Sequence, residues 1–313
     1  MTPKTSEPTE LLEKNSTVTS CGFVALIGAP NAGKSTLLNE FVGAKVAIVT
    51  HKVQTTRTQL RGIAIHEQTQ LIFVDTPGIF KPKRRLDRAM VQAAWAGADD
   101  AEMIVLLIDA RKGLNEENEA IVNGLKDSGK RAILAINKID TLPRENLLAL
   151  AETMSGTGVF DDIFMISALN KDGVEDLKKF LASKAPKGPW MYPADDMTDV
   201  TMRVLAAEVT REKILMRLHE ELPYAATVET EKWEEKKDGS VRIEQVIHIT
   251  RESHKGIVIG KGGSMLKTLG SLAREELEEM MGCRVHLFLH VRVSERWQDD
   301  RSVYKDMGLE WSE

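Results

Sequence analysis

A segment of eight residues early in the chain has the composition and spacing of a phosphate-binding loop. Gly28, Gly33, Lys34 and Ser35 fit the pattern G-x-x-x-x-G-K-[ST], between an apolar run and a segment of helical periodicity. Glycines let successive backbone N–H groups point at phosphate oxygens, and the following helix adds its positive end. In such loops the lysine reaches the β- and γ-phosphates and the serine hydroxyl ligates Mg²⁺. The residues predicted to hold the phosphates are Gly28, Ala29, Pro30, Asn31, Ala32, Gly33, Lys34, Ser35 and Thr36.

The segment 137–140 predicts which base the site selects, because it places polar side chains directly after the apolar run 132–136. The Asp140 carboxylate can accept hydrogen bonds from N1–H and the 2-amino group of guanine, whereas adenine has neither donor. We expect Asn137 to hold the loop, and Lys138 to lie over the base and brace the phosphate loop. A backbone N–H of the pair 167–168 is expected to reach guanine O6. The predicted guanine-binding residues are Asn137, Lys138, Asp140, Ser167, Ala168 and Leu169.

A third polar segment, 75–78, follows another apolar run and completes the predicted phosphate site with Asp75, Thr76, Pro77 and Gly78. Asp75 suits the outer coordination shell of Mg²⁺, and the Gly78 N–H can bond the γ-phosphate and register its loss. The neighbouring residues Thr55 and Thr56 offer hydroxyls for a further Mg²⁺ position; Thr56 is favoured, and Thr55 stays an open alternative. The predicted Mg²⁺ ligands are Ser35, Thr56 and, through a water, Asp75.

Apolar runs alternate with helix-period segments through residues 21–185, which predicts an α/β domain. Runs that are apolar along their whole length indicate strands buried on both faces, hence a mainly parallel sheet flanked by helices. Ligands of such sheets collect at the carboxyl ends of the strands, where the polar segments fall. The predicted strands are 23–27, 70–74, 103–108, 132–136 and 163–166, and the helices begin near Lys34, Asp87, Asn115, Arg144 and Val174.

A change of pattern after residue 185 predicts a linker and a second domain. Residues 185–193 contain three prolines and a glycine, which indicate an extended linker at 186–200. The segment 201–293 then reads as a helix, a hairpin whose turn is 237–240, a glycine-rich turn, a second helix and a strand. The order α-β-β-α-β predicts an α+β domain. Its predicted elements are a helix at 202–219, strands at 224–234 and 241–250, and a strand at 284–293.

The glycine-rich turn 260–263 is a candidate nucleic-acid site. The pattern G-x-x-G is weak alone, but a hairpin precedes it, a helix follows and a strand returns, as in a type II KH domain. Such loops clamp about four nucleotides, because glycines permit close backbone approach and flanking charge attracts phosphates. The apolar run 257–259, with Ile257, Val258 and Ile259, is expected to form the floor of the groove. The predicted RNA-binding residues are Lys255, Ile257, Ile259, Gly260, Lys261, Gly262, Gly263 and Lys267.

Composition restricts the remaining possibilities. The net charge is −5, so any site for a polyanion must be local, as in the stretch 251–267 with four basic residues and one acidic residue. No apolar run approaches the roughly 18 residues of a spanning helix, and two cysteines far apart in sequence suit a reducing cytoplasm. Residues 1–20 are predicted to be a disordered tail, and the C-terminal tail 294–313 is expected to pack on the second domain or contact RNA.

Residues 21–185 resemble a P-loop GTPase of the translation-factor type, and the chain beyond residue 20 is similar to the Era family of bacterial GTPases. The motifs at 28–35, 54–57, 75–78, 137–140 and 167–169, the run 188–193 and the turn 260–263 carry this resemblance. It implies GTP hydrolysis with Mg²⁺, and a KH domain that engages the 3′ end of small-subunit ribosomal RNA during assembly of the small ribosomal subunit. A peripheral contact with the cell membrane is implied as well. We expect a monomer.

Catalysis is the least complete part of the pattern. Ras-like enzymes orient the attacking water with a glutamine after the glycine of segment 75–78, but this chain has Ile79 there, so hydrolysis must be slow or assisted. The family resemblance implies a K⁺ ion at Asn31 as the source of positive charge; the alternative is that Asn31 only stabilises the loop turn. The residues expected to act in catalysis are Lys34, Thr56, Gly78 and Asn31.

Ile79 also supports a different function, an RNA-binding scaffold whose nucleotide site is mainly regulatory and barely catalytic. Two further interpretations of the function have weaker support in the sequence. A tandem GTPase requires a second phosphate loop, which residues 186–313 lack, and a metabolic kinase requires an acceptor pocket that no segment suggests.

Overall fold

The computed structural model describes residues 18–295 together with residues 297, 301, 304 and 307–311. Nearly all of the predicted N-terminal tail and much of the C-terminal tail lie outside the described residues. Among the helices that are described, none has the length and apolar composition needed to cross a lipid bilayer.

The first part of the chain forms an α/β domain, as predicted. The sheet has the strand order β2-β3-β1-β4-β5-β6, in which β2 is antiparallel to β3 and the other pairings are parallel. Hydrophobic clusters cover both of its faces, which explains why its central strands are apolar throughout. The elements are β1 (Ser20–Ile27), α1 (Lys34–Val42), β2 (Leu60–His66), β3 (Thr69–Asp75), α2 (Arg85–Asp100), β4 (Met103–Asp109), α3 (Glu116–Asp127), β5 (Ala132–Asn137), α4 (Arg144–Ser155), β6 (Phe160–Ile166) and α5 (Val174–Lys184).

Strand β2 is the element of this sheet that the sequence did not predict. Arg61 is exposed and Gly62 and Ala64 are small, so the strand lacks the continuous apolar run that marks its neighbours. Gly62 packs where a Cβ would lie 2.4 Å from a Leu38 side-chain carbon. The small residue is therefore required by close contact with α1, and its effect is to weaken the strand pattern.

The second part forms the predicted α+β domain with one additional helix. Its elements are α6 (Met202–Arg217), β7 (Ala226–Glu235), β8 (Val241–Ile249), α7 (Glu252–Ile259), α8 (Ser264–Met281) and β9 (Val285–Val293). Strands β7 and β8 pair in antiparallel fashion through the predicted turn, where Gly239 has φ 80°, and β8 pairs with β9 in parallel. The unpredicted helix α7 carries Gly256 and the β-branched residues of segment 257–259, which favour a strand or a loop locally, so tertiary packing decides its form.

The predicted linker, 186–200, is extended and lies against the first domain. Gln70 is fully buried and holds it: Gln70 Oε1 accepts hydrogen bonds from Met191 N at 2.9 Å and Tyr192 N at 3.1 Å, and Gln70 Nε2 donates to Tyr192 O at 2.8 Å. Further along, Ile63 N donates to Met197 O at 2.8 Å. The linker therefore follows the edge of the sheet near β2 and β3.

The described residues of the C-terminal tail contact the second domain, as expected, and also the first domain, which was not expected. Trp297 does contact that domain, since its Nε1 donates to Ala225 O at 3.0 Å. Tyr304, Met307 and Leu309, however, are buried in a cluster with Leu86, Ala89 and Met90 of α2. The tail thus reaches back to the first domain, because the apolar face of α2 is available there.

Candidate functional site

The phosphate loop joins the end of β1 to the start of α1, and two of its glycines are required by conformation and space. Gly28 has φ 150° and Gly33 has φ 103°, values that side chains rarely adopt. A Cβ on Gly28 would lie 2.3 Å from Leu107 O, and one on Gly33 would lie 2.2 Å from Asn137 Nδ2. These glycines therefore let the loop approach β4 and the predicted base-binding segment closely.

Lys34 is the first residue of α1, and its side chain is buried under the loop. Its Nζ donates to Gly28 O at 3.1 Å and to Ala29 O at 3.3 Å. Burial lowers the pKa of Lys34 to about 8, although the attraction of Asp75 acts in the opposite direction. The lysine thus brings a desolvated amine, positive at neutral pH, to the place where the sequence predicts phosphates.

Ser35, Thr56 and Asp75 converge at one point. Ser35 Oγ lies 2.9 Å from Thr56 Oγ1 and donates to Asp75 Oδ2 at 2.7 Å, while Thr56 Oγ1 donates to Asp75 Oδ2 at 3.3 Å. Asp75 is fully buried, and its Oδ1 has no partner among the described residues. Burial raises the pKa of Asp75, and Lys34 and the two hydroxyls oppose that rise.

This arrangement fits Mg²⁺. Two adjacent ligands of an octahedral Mg²⁺ at ~2.1 Å are separated by about 3 Å, which matches the distance between the hydroxyls of Ser35 and Thr56. The other candidate, Thr55, is turned away, since its hydroxyl bonds Lys52 O and Thr50 Oγ1, each at 2.7 Å. The geometry therefore favours Thr56, and the orphan Oδ1 of Asp75 is free to hold a metal-bound water.

Asn137 links the predicted base-binding segments to the phosphate loop. It is buried at the end of β5, where its Nδ2 donates to Ala32 O at 2.8 Å. Its Oδ1 accepts hydrogen bonds from Lys138 N at 2.8 Å and Ala168 N at 3.0 Å. One amide side chain thus fixes three loops, which is the holding role that the sequence predicts for it.

Asp140 faces the site from an exposed position, with one oxygen restrained. Ser167 Oγ donates to Asp140 Oδ1 at 2.5 Å, which orients the carboxylate. Ser167 N donates to Asp172 O at 2.9 Å, and the Ala168 N–H is engaged with Asn137. A hydrogen bond from this pair to guanine O6 therefore requires the Ala168 N–H to be shared between Asn137 Oδ1 and the base.

Lys138 braces the phosphate loop together with Asp109, a residue that the sequence patterns did not single out. Lys138 has φ 65°, and its Nζ donates to Asn31 O and to Asp109 Oδ2, both at 2.7 Å. Burial raises the pKa of Asp109, but hydrogen bonds from Arg111 and Lys138 outweigh it, so the pKa is lowered overall. Asp109 could have been recognised from its position directly after the apolar run 103–108, since polar residues at strand ends line the site.

Most of these residues line a cavity of about 500 Å³ at the carboxyl ends of the parallel strands. The predicted residues that line it are Pro30, Asn31, Gly33, Lys34, Ser35, Thr36, Thr56, Gly78, Asn137, Lys138, Asp140, Ala168 and Leu169. Thr76 points elsewhere: it is fully buried, and its hydroxyl donates to Leu26 O at 2.8 Å. Its side chain supports β1, so only its backbone is available to a ligand.

The position at which Ras-like enzymes carry the water-orienting glutamine is occupied here by a residue of the hydrophobic core. Ile79 is 7% exposed and packs in the cluster between the sheet and α2, and its N donates to Gly28 O at 3.0 Å. Gly78 lies against the phosphate loop, because a Cβ there would be 2.9 Å from Pro30 N. Asn31 has φ 63°, and its Nδ2 donates to His51 O at 2.8 Å. Asn31 therefore joins the phosphate loop to the segment before Thr55.

Comparisons with known proteins agree with this geometry. A family model described as 50S ribosome-binding GTPase matches residues 23–138, and a KH domain model matches residues 221–298. The chain is 58% identical to GTPase Era of Agrobacterium fabrum, over 96% of this chain and 94% of that protein. It is 57% identical to GTPase Era of Brucella suis over 96% of each chain. The chain belongs to the Era family of GTPases.

Solved structures extend the likeness of this Era-family chain to three dimensions. One is Era in complex with MgGDPNP and nucleotides 1506–1542 of 16S ribosomal RNA, with a TM-score of 0.88 and 36% identity, covering 93% of this chain and 99% of that one. Another, with the same scores and coverage, is an Aquifex aeolicus Era variant bound to GDP·AlF4⁻. The predicted architecture of a GTPase domain followed by a KH domain is confirmed.

The glycine-rich turn of this Era-family GTPase lies between α7 and α8. Gly260, Gly262 and Gly263 have φ of 73°, 61° and 80°, and Lys261 is exposed at the tip. A Cβ on Gly262 would meet no atom of the described residues within 4 Å, so its backbone is open to a ligand. Lys255 is half-buried and pairs with Glu252 at 3.5 Å, and Lys267 is exposed on α8.

Helix α7 corrects the expectation for the apolar run 257–259. Ile257 is 56% exposed and Ile259 is half-buried, so both are available beside the turn. Val258 is fully buried and packs in the core of the KH domain. The run cannot act as a continuous floor, because successive helical residues point about 100° apart and Val258 faces inward.

Proposed function

We propose that this GTPase is a nucleotide-controlled switch that binds the 3′ end of small-subunit ribosomal RNA and acts in assembly of the small ribosomal subunit. The observation that supports it most is the Era structure holding both MgGDPNP and 16S ribosomal RNA, which this chain resembles along 93% of its length. GTP-bound and GDP-bound forms are proposed to arrange the two domains differently. RNA affinity and nucleotide state are then coupled, and the coupling acts in both directions.

In the proposed GTP site, Mg²⁺ is held by the hydroxyls of Ser35 and Thr56 and, through water, by Asp75. Bound Mg²⁺ neutralises charge on the β- and γ-phosphates. Lys34 binds the same phosphates, and the Gly78 N–H bonds the γ-phosphate, so that loss of this phosphate releases segment 75–78. Asn137, Lys138 and Asp140, with residues 167–169, hold guanine. These roles are supported by the residues that line one cavity, and by the hydrogen bonds that join Asp75 and Ser167 to residues of that lining.

In the proposed RNA site, residues 260–263 approach the RNA backbone, and Lys255, Lys261 and Lys267 attract its phosphates. Ile257 and Ile259 provide apolar surface for bases. Replacing Gly262 by aspartate is expected to weaken binding of an oligonucleotide with the 3′-end sequence of small-subunit ribosomal RNA by roughly ten- to a hundredfold, because a carboxylate would face phosphates. Fluorescence anisotropy with a scrambled oligonucleotide for comparison measures this loss.

Gly239→Asp is the matched control for this experiment. Gly239 also has positive φ and open space, and it lies in the hairpin turn of the same domain, at the other end of β8 from the glycine-rich turn. Both variants should keep wild-type GDP affinity. If Gly239→Asp weakens RNA binding as much as Gly262→Asp, the effect comes from net charge, and the RNA site is not at residues 260–263.

We also propose that K⁺ bound near Asn31 supplies positive charge to the reaction, which Ile79 cannot assist by orienting the attacking water. GTP hydrolysis is then expected to be about tenfold faster in K⁺ than in Na⁺ at equal ionic strength. Asn31→Gly keeps the positive φ without the amide and should remove the advantage of K⁺ while GDP affinity is retained. Single-turnover hydrolysis in the two salts gives the ratio of rates for the wild type and for the variant. Equal rates of the wild type in K⁺ and Na⁺ would exclude this role.

A second candidate function is an RNA-binding scaffold with a mainly regulatory nucleotide site. The burial of Ile79 supports this function, because a buried aliphatic side chain cannot orient the attacking water. Single-turnover hydrolysis with and without the RNA 3′-end oligonucleotide separates the two functions. Stimulation by RNA favours the switch, and a rate that stays near that of free GTP in both conditions favours the scaffold.

The place of action that we propose is the cytoplasm, which the free thiols of Cys21 and Cys283 support. Contact with the inner face of the cell membrane and a monomeric state stay predictions. Sedimentation of the full chain with and without vesicles of anionic lipid tests both.

A further inference from the structure

The segment 45–57, which connects α1 to β2 and carries Thr56, is held by the KH domain as well as by the GTPase domain. Lys45 forms ion pairs with Glu212, at 2.7 Å, and with Glu276. Glu212 Oε1 accepts a hydrogen bond from Val49 N at 2.9 Å. Lys52 Nζ donates to Leu218 O. Helix α6 and its C-terminal end therefore fix the first half of this segment.

The second half is fixed through two buried arginines that point in opposite directions across the domain boundary. Arg211 of α6 donates from its Nη2 to Thr55 O and is itself held by Glu208, with an Nε to Oε1 distance of 2.8 Å. Arg57 extends from the GTPase domain and donates from Nη1 to Ala226 O at 2.8 Å and from Nη2 to Tyr224 O at 3.0 Å. Both arginines are 1% exposed.

The surroundings of Arg57 require its side chain in particular. Its guanidinium lies over the ring of Trp297, 5.5 Å from the centroid, and bridges the carbonyl of Tyr224, just before β7, and that of Ala226, the first residue of β7. A planar guanidinium donates to both carbonyls from a rigid fork while it stacks on the ring, whereas a lysine ammonium is a point charge that has neither the fork nor the flat face. Such full burial of a charge is costly, and fold stability alone is often served as well by apolar residues.

The position of Thr56 indicates what the two buried arginines hold in place. Thr56 lies between Thr55, whose carbonyl is held by Arg211, and Arg57, which is anchored in the KH domain. Its own hydroxyl points the other way, to Ser35 and Asp75 at the Mg²⁺ site. A shift of the backbone by ~1 Å at this residue would break the octahedral distance between the hydroxyls of Ser35 and Thr56.

We propose that Arg57 is a positioning residue for GTP hydrolysis: its anchor on the carbonyls of Tyr224 and Ala226 fixes Thr56 where it ligates Mg²⁺. This inference rests on the proposed role of Thr56. The Mg²⁺ site of the GTPase domain is then complete only while the KH domain is docked. GTP binding, which uses Thr56, favours docking, and GDP binding does not depend on it.

The test compares Arg57→Lys with wild type in the full chain. The Mg²⁺ concentration that gives half-maximal single-turnover hydrolysis of GTP is expected to rise about tenfold, the cost of one charge-assisted hydrogen bond. Affinity for the non-hydrolysable analogue GDPNP with Mg²⁺ should fall by a similar factor, and GDP affinity should stay at the wild-type value. A merely structural role would change thermal stability and both affinities together, without a specific change in the Mg²⁺ requirement.

Arg203→Lys is the matched control. Arg203 also donates to two backbone carbonyls of the KH domain, Thr230 O and Glu231 O, both at 2.6 Å, but it makes these contacts within that domain. It should leave the Mg²⁺ requirement unchanged. Should Arg57→Lys melt below the assay temperature, Arg211→Lys loosens the other anchor, and the same tenfold rise is expected there.

Thr56→Ala distinguishes failure of this inference from failure of the proposed Mg²⁺ site on which it rests. If Thr56→Ala leaves the Mg²⁺ requirement unchanged, Thr56 is not a ligand, and its proposed role in the GTP site falls together with this inference. If Thr56→Ala raises it and Arg57→Lys does not, only the positioning role of Arg57 is overturned. If Arg57 acts through Thr56, the double variant should be no worse than Thr56→Ala alone, whereas additive effects would contradict the inference.

Discussion

Replacing Asp140 by asparagine is expected to weaken GTP and GDP binding by roughly 10²- to 10³-fold and to give the protein a preference for xanthine nucleotides. The asparagine amide can accept from N1–H of xanthine and donate to its O2. Against guanine, the amide NH₂ meets either N1–H or the 2-amino group, so two donors oppose each other. Ser167 Oγ holds the group at residue 140 at 2.5 Å, which keeps the substituted side chain in the same place.

Calorimetry with nucleotide-stripped protein and the diphosphates of guanosine, xanthosine and adenosine measures this exchange. Asp172→Asn is the control, since it makes the same change of charge close to the site. Asp172 is exposed, and only its backbone is hydrogen-bonded to the backbone of Ser167. That control should bind GDP as wild type does. Equal affinity of the wild type for adenosine and guanosine diphosphates would show that Asp140 does not select the base.

Most of the nucleotide site could be predicted from the sequence, because local spacing determines it. Residues 28–35 form a loop whose glycines are required within a few residues of the lysine, so one short pattern contains the whole arrangement. Segment 137–140 follows a strand that is buried on both faces, and the rule that ligands lie at strand ends places it near the phosphate loop. Fold class could be predicted for the same reason, since apolar runs show burial directly.

The elements that could not be predicted are those whose form depends on distant contacts. Strand β2 contains Gly62 because α1 packs against it, and that residue hides the strand pattern. Helix α7 contains three consecutive β-branched residues, 257–259, and is nevertheless helical, with Val258 packed in the KH core. In both cases packing against another element overrides the local preference that a sequence pattern reports.

The contacts between the domains could not be predicted from the sequence, for a related reason. Arg57 and Ala226, like Arg211 and Thr55, are more than 150 residues apart in sequence, and no periodicity connects them. The sequence showed Arg57 only as part of the segment 54–57. A buried arginine cannot be recognised from sequence, since arginine is usually exposed. The coupling between nucleotide site and KH domain therefore becomes specific only when the structure is known.

Removing the amine of Lys34 is expected to cost about 10²- to 10³-fold in GDP affinity, since it deletes charge-assisted hydrogen bonds to phosphate in a buried place. Competition against a fluorescent guanine nucleotide measures Lys34→Ala. Lys112→Ala is the control, because Lys112 lines the same cavity but is paired with Glu117 at 3.3 Å. It should lose little affinity. A comparable loss in both variants would mean that the overall charge of the cavity matters, and that Lys34 has no special role.

The pKa of Lys34 gives an independent measure of the same interaction. Without nucleotide this pKa is about 8, because burial favours the neutral amine, and a bound phosphate must raise it by favouring the charged form. Well below pH 8 the amine is protonated in both states, so it adds almost no pH dependence to GDP affinity. Above pH 8 binding must take up a proton, and affinity should fall by up to about tenfold per pH unit. Guanine N1–H also titrates at high pH, but it does so equally in Lys34→Ala, so the wild type should show a steeper fall than the variant. Parallel curves would show that the amine stays charged in the free protein and that burial does not perturb it.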